Sequence, residues 1–297
     1  MKKSVKVTLI VAAALVGLGL CLSMVGFALG GRFSSLLNMR LDPATGQWEQ
    51  VDEAGNVVND YTKGEYALPA GTDITALDID WLAGEVEILV TSGDAVSVME
   101  LVERGTSASY AMAVSEQDGV LKVRYTGDEF LSLPNLPSKK LVVHLPREVA
   151  ENMKEIRLSS VSADFDVEAL TFDDNFRDEE IAFVKADTVA VSTVSGKIEL
   201  DGSFRRVTGE STSGEIDLTL RSCPEKLDLT TVSGNIELEL PEDAGFALDH
   251  STVSGSLSSE LRLNWKWNDL YTYGDSDSSE FTVSTTSGDL DIKKLEK

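Results

Sequence analysis

The sequence predicts an all-β fold: a parallel β-solenoid, β-helix-like and expected to be right-handed, with rungs of roughly 20 residues and one transmembrane helix ahead of it. Three observations carry this prediction. A short phrase recurs through the second half of the chain. The parity of the apolar residues switches inside each copy. An uncharged stretch stands near the start. The copies include Thr193-Val194-Ser195-Gly196-Lys197-Ile198-Glu199-Leu200, Ser211-Thr212-Ser213-Gly214-Glu215-Ile216-Asp217-Leu218 and Thr231-Val232-Ser233-Gly234-Asn235-Ile236-Glu237-Leu238. Weaker copies hold Ser162, Ser254 and Ser287, and the anchor serines lie 33, 18, 20, 21 and 33 residues apart.

Each copy has two alternating segments. Leu227 and Leu229 precede the serine, and Ile236, Leu238 and Leu240 follow it. The first set is odd-numbered and the second even. Side chains alternate faces along a strand, so a core that changes parity requires a bend between two strands. Glycine is suited to such a bend because it reaches backbone angles that cost other residues energy. Two short strands with a corner at Ser-Gly make one rung, and a rung buries its apolar face only when neighbours stack on it. The first 33-residue gap predicts a degenerate rung through Glu180-Ile181-Ala182-Phe183-Val184. The second holds an aromatic insertion, Asn264 to Asp275.

Val7 to Gly31 is free of charge. As a helix it would be about 37 Å long, enough to span a bilayer. Lys2, Lys3 and Lys6 precede it, which leaves residues 1–6 in the cytoplasm and everything after 31 outside. The alternative is a cleaved signal peptide, but its apolar region is usually only about 7–15 residues long and ends at a small-residue site. The reading is therefore a single-pass cell-membrane protein with an anchor at 7–31. Residues 32–73 form a turn-rich juxtamembrane stalk with a short hairpin around Gln47–Val51. Residues 74–297 form the ectodomain, with irregular N-terminal strands over 74–146 and Ser-Gly repeats over 155–295. Candidate strands before the repeats are Ile74–Asp80, Glu85–Val90, Ala95–Val102, Tyr110–Val114, Val120–Tyr125 and Leu141–Pro146. Cys223 is the one cysteine outside the apolar stretch, so no disulfide staples the ectodomain.

The element Leu141 to Pro146, the segment Glu155-Ile156-Arg157-Leu158-Ser159-Ser160-Val161-Ser162 and the Ser-Gly-x-Ile-x-Leu copies after them resemble the bacterial "putative adhesin" domain of unknown function. The resemblance spans roughly Ile74 to Lys294. It implies a β-helix-like, often membrane-anchored cell-envelope protein, in some cases an accessory of envelope-stress signalling. It implies no catalytic residues.

Composition narrows the function. The chain carries 26 basic and 50 acidic residues, a net charge of −24, which excludes a basic nucleic-acid face and opposes adsorption to anionic lipid. With 42% hydrophobic residues the ectodomain has the material for a core. No phosphate loop, dinucleotide fingerprint, nucleophile elbow or His/Cys metal spacing is present, so no cofactor is expected. His144 lies in the strand before Pro146. His250 takes an inward slot, where the expectation is a core histidine satisfied by stacked hydroxyls.

Two features are candidate sites. Asp166, Glu199, Asp217, Glu237, Ser258 and Asp291 stand four residues after each anchor serine and should point outward. Stacked about 4.8 Å apart, the acids would form a column able to take divalent cations or cationic peptides. The plainer reading is a solvated face. Trp265, Trp267, Tyr271 and Tyr273 in the insertion would offer a stacking platform for cell-wall glycan if exposed, or would cover the solenoid if folded inward. The function expected is non-enzymatic: a membrane-anchored, adhesin-like binding or scaffold surface, or an envelope-stress accessory with a protein partner. The alternative is a polysaccharide-active β-helix lyase or hydrolase, or a glycan-binding module.

Overall fold

The computed structural model describes residues 39–41, 48–50, 61–103, 111–125, 139–168, 182–266, 269–274 and 279–295. The expected anchor, Val7 to Gly31, lies outside them. Among the described residues no helix is long and apolar enough to cross a membrane. β1 (Met39–Leu41) and β2 (Trp48–Gln50) form a separate antiparallel pair close to the expected hairpin.

The other strands form one mostly parallel system. In chain order they are β3 (Tyr61–Ala67), β4 (Ala76–Asp80), β5 (Ala83–Thr91), β6 (Ser97–Glu103), β7 (Ala113–Gln117), β8 (Val120–Arg124) and β9 (Lys139–Pro146). A one-turn helix α1 (Arg147–Ala150) follows, then β10 (Met153–Ser159), β11 (Ser162–Glu168), β12 (Val184–Thr193) and β13 (Ile198–Ser211). The chain continues with β14 (Ile216–Leu220), β15 (Lys226–Thr231), β16 (Ile236–Leu240), β17 (Phe246–Ser251) and β18 (Leu257–Ser259). It closes with β19 (Asn264–Trp265), β20 (Leu270–Tyr273), β21 (Glu280–Thr285) and β22 (Leu290–Lys294).

Strands before each corner make one face, in the spatial order β7, β8, β4, β10, β12, β13, β15, β21, β17, β20, β19. Strands after each corner make the other, in the order β3, β6, β9, β5, β11, β13, β14, β16, β22, β18. β13 serves both faces, its first half beside β14 and its second beside β15. The parity rule holds: Leu227 and Leu229 before the corner are fully buried, as are Leu238 and Leu240 after it, and Ile236 is buried with them. The strands at 74–146 supply two further parallel rungs, with β4 and β5 stacked on β10 and β11, and β8 and β9 stacked on β4 and β5.

Three expectations need correction. The degenerate rung expected through Glu180–Val184 has no place in the stack, because β10 pairs directly with β12 and β11 with β13; Val184 opens β12 itself, and Glu180 and Ile181 lie outside the described residues. Stacking order also departs from chain order at both ends. The rung of β8 and β9 lies outside that of β4 and β5, and the last rung, β21 and β22, lies between the rung of β15 and β16 and that of β17 and β18. Anchor-serine spacing shows that residues are inserted but not which rungs become neighbours. The third correction concerns the glycines of the Ser-Gly copies, which do not have positive φ, although Gly84 at the N-terminal end of the column does (107°). They are required for space. A Cβ on Gly196 would lie 1.8 Å from the carbonyl oxygen of Ala163, and one on Gly214 1.8 Å from that of Gly196. Gly234, Gly288 and Gly255 continue the column with the same collision.

Hydroxyls complete the corner. Thr193, Ser211 and Thr231 are buried and accept the N–H groups of Gly196, Gly214 and Gly234 at 3.0, 2.8 and 3.0 Å. The anchor serines point outward and tie rungs together. Ser213 donates its N–H and its hydroxyl to Val194 O (2.9 and 3.2 Å), and Ser233 donates both to Thr212 O (3.0 and 3.3 Å). At the N-terminal end the column finishes on Lys139, opposite Gly84. Its buried ammonium donates to Glu100 Oε1 at 2.8 Å and lies 4.0 Å from the Tyr125 ring centroid. Burial pulls its pKa down, and the Glu100 carboxylate opposes that pull.

His250 is buried against Val283 in the outermost rung, but its Nε2 has no hydrogen-bond partner among the described residues. The expected hydroxyl partner is absent there. Burial lowers its pKa, with Asp269 and Asp249 pulling the other way.

These features yield four expected outcomes. Ile236→Asp should abolish the cooperative thermal transition, because it buries an unpaired charge. Glu237→Gln should cost less than about 1 kcal/mol, since its pair with Lys293 is solvent-exposed. Gly234→Ala should cost about 2–4 kcal/mol in chemical denaturation, because two rungs must separate to admit the methyl group. For His250 the folded pKa lies below the unfolded value of about 6.5, so the unfolded state binds more protons as pH falls below that value. Stability present above about pH 6.5 should therefore decline toward pH 5.5, and His250→Leu should flatten that part of the melting-temperature profile. An unchanged slope in the variant would show that other groups cause it.

Candidate binding surface

The face built from post-corner strands carries the predicted acidic column, and strand pairing places its members in register. Glu87 stands opposite Asp166, then Glu199, Asp217, Glu237 and Asp291 follow, and Ser258 ends the series. Glu87 belongs to a rung with no Ser-Gly copy, so the repeat did not signal it. At about 4.8 Å per strand the six carboxylates span roughly 24 Å. Glu199, Asp217 and Glu237 alternate with buried Ile198, Leu200, Ile216, Leu218, Ile236 and Leu238, which turns their side chains outward.

Lysines from neighbouring columns bridge the ladder. Lys197 Nζ lies 2.6 Å from Glu199 Oε1 and 2.8 Å from Asp217 Oδ2, spanning two rungs. Burial alone would lower its pKa, but Asp217 and Glu199 together hold it well above the usual lysine value. Lys293 bonds Glu237 at 2.6 Å, and Lys140 bonds Glu87 and, at 3.2 Å, Glu85. Glu239, in the flanking column, has a raised pKa through partial burial and the adjacent Glu237 carboxylate. Among the described residues no group of three acids, histidines or cysteines is arranged to hold a metal ion.

The opposite face is electrically mixed. Its matching central column reads Lys122, Asp78, Arg157, Ala190, Thr208, Asp228, Thr282 and Asp249. The solenoid therefore has one acidic and one balanced face, a contrast hidden in the net charge.

The aromatic insertion folds as the β19–β20 hairpin on the outer edge of β17. Tyr271 and Tyr273 are half-buried against the core. The Tyr273 ring lies 5.8 Å from that of Phe246, and its hydroxyl donates to Glu242 O at 2.9 Å. Trp265, across from Tyr271, is 65% exposed, and Trp267 lies outside the described residues. Two of the four aromatic side chains are thus committed to packing.

His144 accepts or donates at Nδ1 to Ser97 Oγ (3.2 Å), its direct cross-strand neighbour. Both line an open depression of about 510 Å³ with Glu65, Thr91 and Asp94. A second depression, about 490 Å³, is lined by Lys185, Arg205, Glu225 and the half-buried free thiol of Cys223.

No curated protein matches this chain. A "putative cell adhesion protein" from Clostridium sporogenes shares its fold with a TM-score of 0.51 at 11% identity, over 80% of this chain and 100% of the other. A "putative adhesin" from Bacteroides fragilis aligns with a TM-score of 0.38 at 12% identity, over 80% and 98% of the two chains. The family model described as Toastrack DUF4097 matches residues 178–293, which contain the five rungs from β12 to β22. The Ser-Gly rungs of residues 178–293 thus match the Toastrack DUF4097 family model, in keeping with their resemblance to the bacterial "putative adhesin" domains of unknown function.

Proposed function

We propose that this chain is a non-enzymatic, membrane-anchored protein of the cell envelope whose solenoid presents its acidic face as a binding or scaffold surface for cationic partners. Residues 7–31 would be the anchor, with the solenoid outside the membrane. The observation that carries the reading is the asymmetry of the two faces: six carboxylates in register on one, mixed charge on the other. The acids stand one to a level through six successive rungs. An active site would instead concentrate acids, bases or a metal at one level of the stack.

Lys197 supports the choice of partner. Its ammonium bridges carboxylates of adjacent rungs at 2.6 and 2.8 Å, the contact that a lysine or arginine of a cationic peptide would make elsewhere along the ladder. An extended peptide places side chains of one face about 6.8 Å apart, so its cations would meet the ladder rung after rung with some slippage. Such binding would be broad in specificity and weakened by salt.

A polylysine decamer should raise the melting temperature by mass action on the folded state, and the gain should shrink as salt is added. Replacing Glu199, Asp217 and Glu237 together by Gln, Asn and Gln should remove the gain while the variant still melts cooperatively. Calcium serves as the comparison, since a simple divalent-ion site would respond to it instead. No shift with the peptide, or the same shift in the triple variant, would return the ladder to a solvated face.

A further inference from the structure

The two ends of the solenoid differ. At the N-terminal end the post-corner face is closed by antiparallel strands, β6 on β9 and β3 on β6, and Lys139 fills the corner column. At the other end the β19–β20 hairpin covers Phe246–Asp249 of β17 and takes the His250 N–H at Asp269 O (3.1 Å), and among the described residues β18 pairs on one side, with β22. Among the described residues the corner from Ser251 to Ser259 is the outermost layer of the stack.

Every rung beneath it shows what this layer would bond. Val161, Val194, Thr212, Val232 and Thr286 each use their carbonyl to accept the anchor-serine N–H of the next rung, at 2.9–3.1 Å. Val253 is the next in that series, is 63% exposed, and has no such partner among the described residues. Phe165, Ile198, Ile216, Ile236 and Leu290 each donate their N–H to the residue after the glycine of the next rung, at 2.8–3.0 Å. Leu257 is the next donor. Alternation in a parallel ladder turns its N–H away from β22.

Exposed edges are ordinarily blunted by charge, proline or a bulge. This one reads Ser251-Thr252-Val253-Ser254-Gly255-Ser256-Leu257-Ser258-Ser259, without charge or proline, in a chain where 26% of residues are charged. The acidic columns also stop here, with Ser258 above Asp291 and Ser256 above Asp289. An incoming strand that carries acids at these positions would meet serine rather than another carboxylate.

We propose that this edge is a β-augmentation site for an extended segment of a partner protein with the pattern Ser-Gly-x-apolar-x-apolar, added parallel to β18. The occupant follows from the rung-on-rung interface, which continues unchanged to this edge. Its serine would donate to Val253 O, and the carbonyl after its glycine would accept the Leu257 N–H. Glycine is favoured there, because a Cβ in that slot collides at about 2.0 Å or less with the carbonyl below at the five levels from Gly196 to Gly255; only the level of Ala163, beside Gly84, carries a methyl group. A second copy docked end to end does not meet this demand, since its other end presents the antiparallel β3 edge and Lys139 in place of the glycine. The site lies at the end of the stack and is independent of the acidic face.

The test uses the full chain in mild detergent and a fluorescent peptide of its own rung sequence, residues 285–294, read by polarisation. Saturable binding is expected. The same peptide with Gly288→Val should bind at least tenfold more weakly. In the protein, Leu257→Pro removes the outward N–H, which an edge strand tolerates, together with part of the side chain's partial packing on the core; it should weaken binding by a similar factor while the melting temperature stays within a few degrees of the parent. The proposal fails if no saturable binding occurs, if the Gly288→Val peptide binds equally, or if Leu257→Pro leaves affinity unchanged. It also fails if sedimentation shows oligomers of the chain that Leu257→Pro dissolves, for the occupant would then be a second copy.

Discussion

Everything in this fold depends on how closely the backbones of successive rungs approach at one corner. The carbonyl of each corner residue lies where the next rung would otherwise carry a side chain. From Gly196 to Gly255 only glycine fits without displacement, and that fixes the register, because a one-residue slip would put lysine, glutamate or asparagine into the slot. Correct register then places isoleucines and leucines over one another in the core and the carboxylates over one another outside. The buried threonine and serine hydroxyls beneath the corner satisfy glycine N–H groups that have no other partner there. The acidic ladder is thus a by-product of a steric rule.

The regular part of the architecture was legible because its causes are local. A parity switch at Ser-Gly needs only the two-residue period of a strand, and Leu229 and Ile236 obey it. The outward column at Glu199, Asp217 and Glu237 follows from the same count. Glu87 was not legible, since its rung carries Ala83-Gly84 where the copies have serine and glycine, and only pairing with Asp166 reveals it. The roles within the corner were half legible. The repetition marked Ser195 and Gly196 as important, but the glycine answers to crowding rather than to backbone angle, and the buried hydroxyl is Thr193 rather than the anchor serine. His250 fits the period and defies the chemistry: its slot is apolar in every other rung, and no local signal says whether a hydroxyl will reach it.

Charge in this molecule is organised by topology. The carboxylates on the post-corner face could not stand in register without mutual repulsion unless something relieved it. Lys197, Lys293 and Lys140 do so at intervals, at Glu199 and Asp217, at Glu237, and at Glu85 and Glu87. The opposite face mixes arginine, lysine, aspartate and threonine in equivalent positions and produces no such ladder. A net charge of −24 therefore conceals a direction, and long-range electrostatics will orient the solenoid toward any charged surface it meets.

The exchanged order of the last two rungs has a kinetic meaning. Phe281 packs against Leu227, 54 residues earlier in the chain, and stacks its ring on Phe246 at 4.5 Å. The layer made last is therefore interior, and the layer made before it is the lid. Zippering from the first rung onward stops after β16, because β17 and β18 have no surface to rest on until β21 and β22 have been threaded beneath them. Closing that loop costs entropy before any of its contacts form. The final stage of folding is then a single cooperative step joining two rungs and a hairpin, and a chain cut before Phe281 would lose the footing of everything from Phe246 onward rather than one terminal layer.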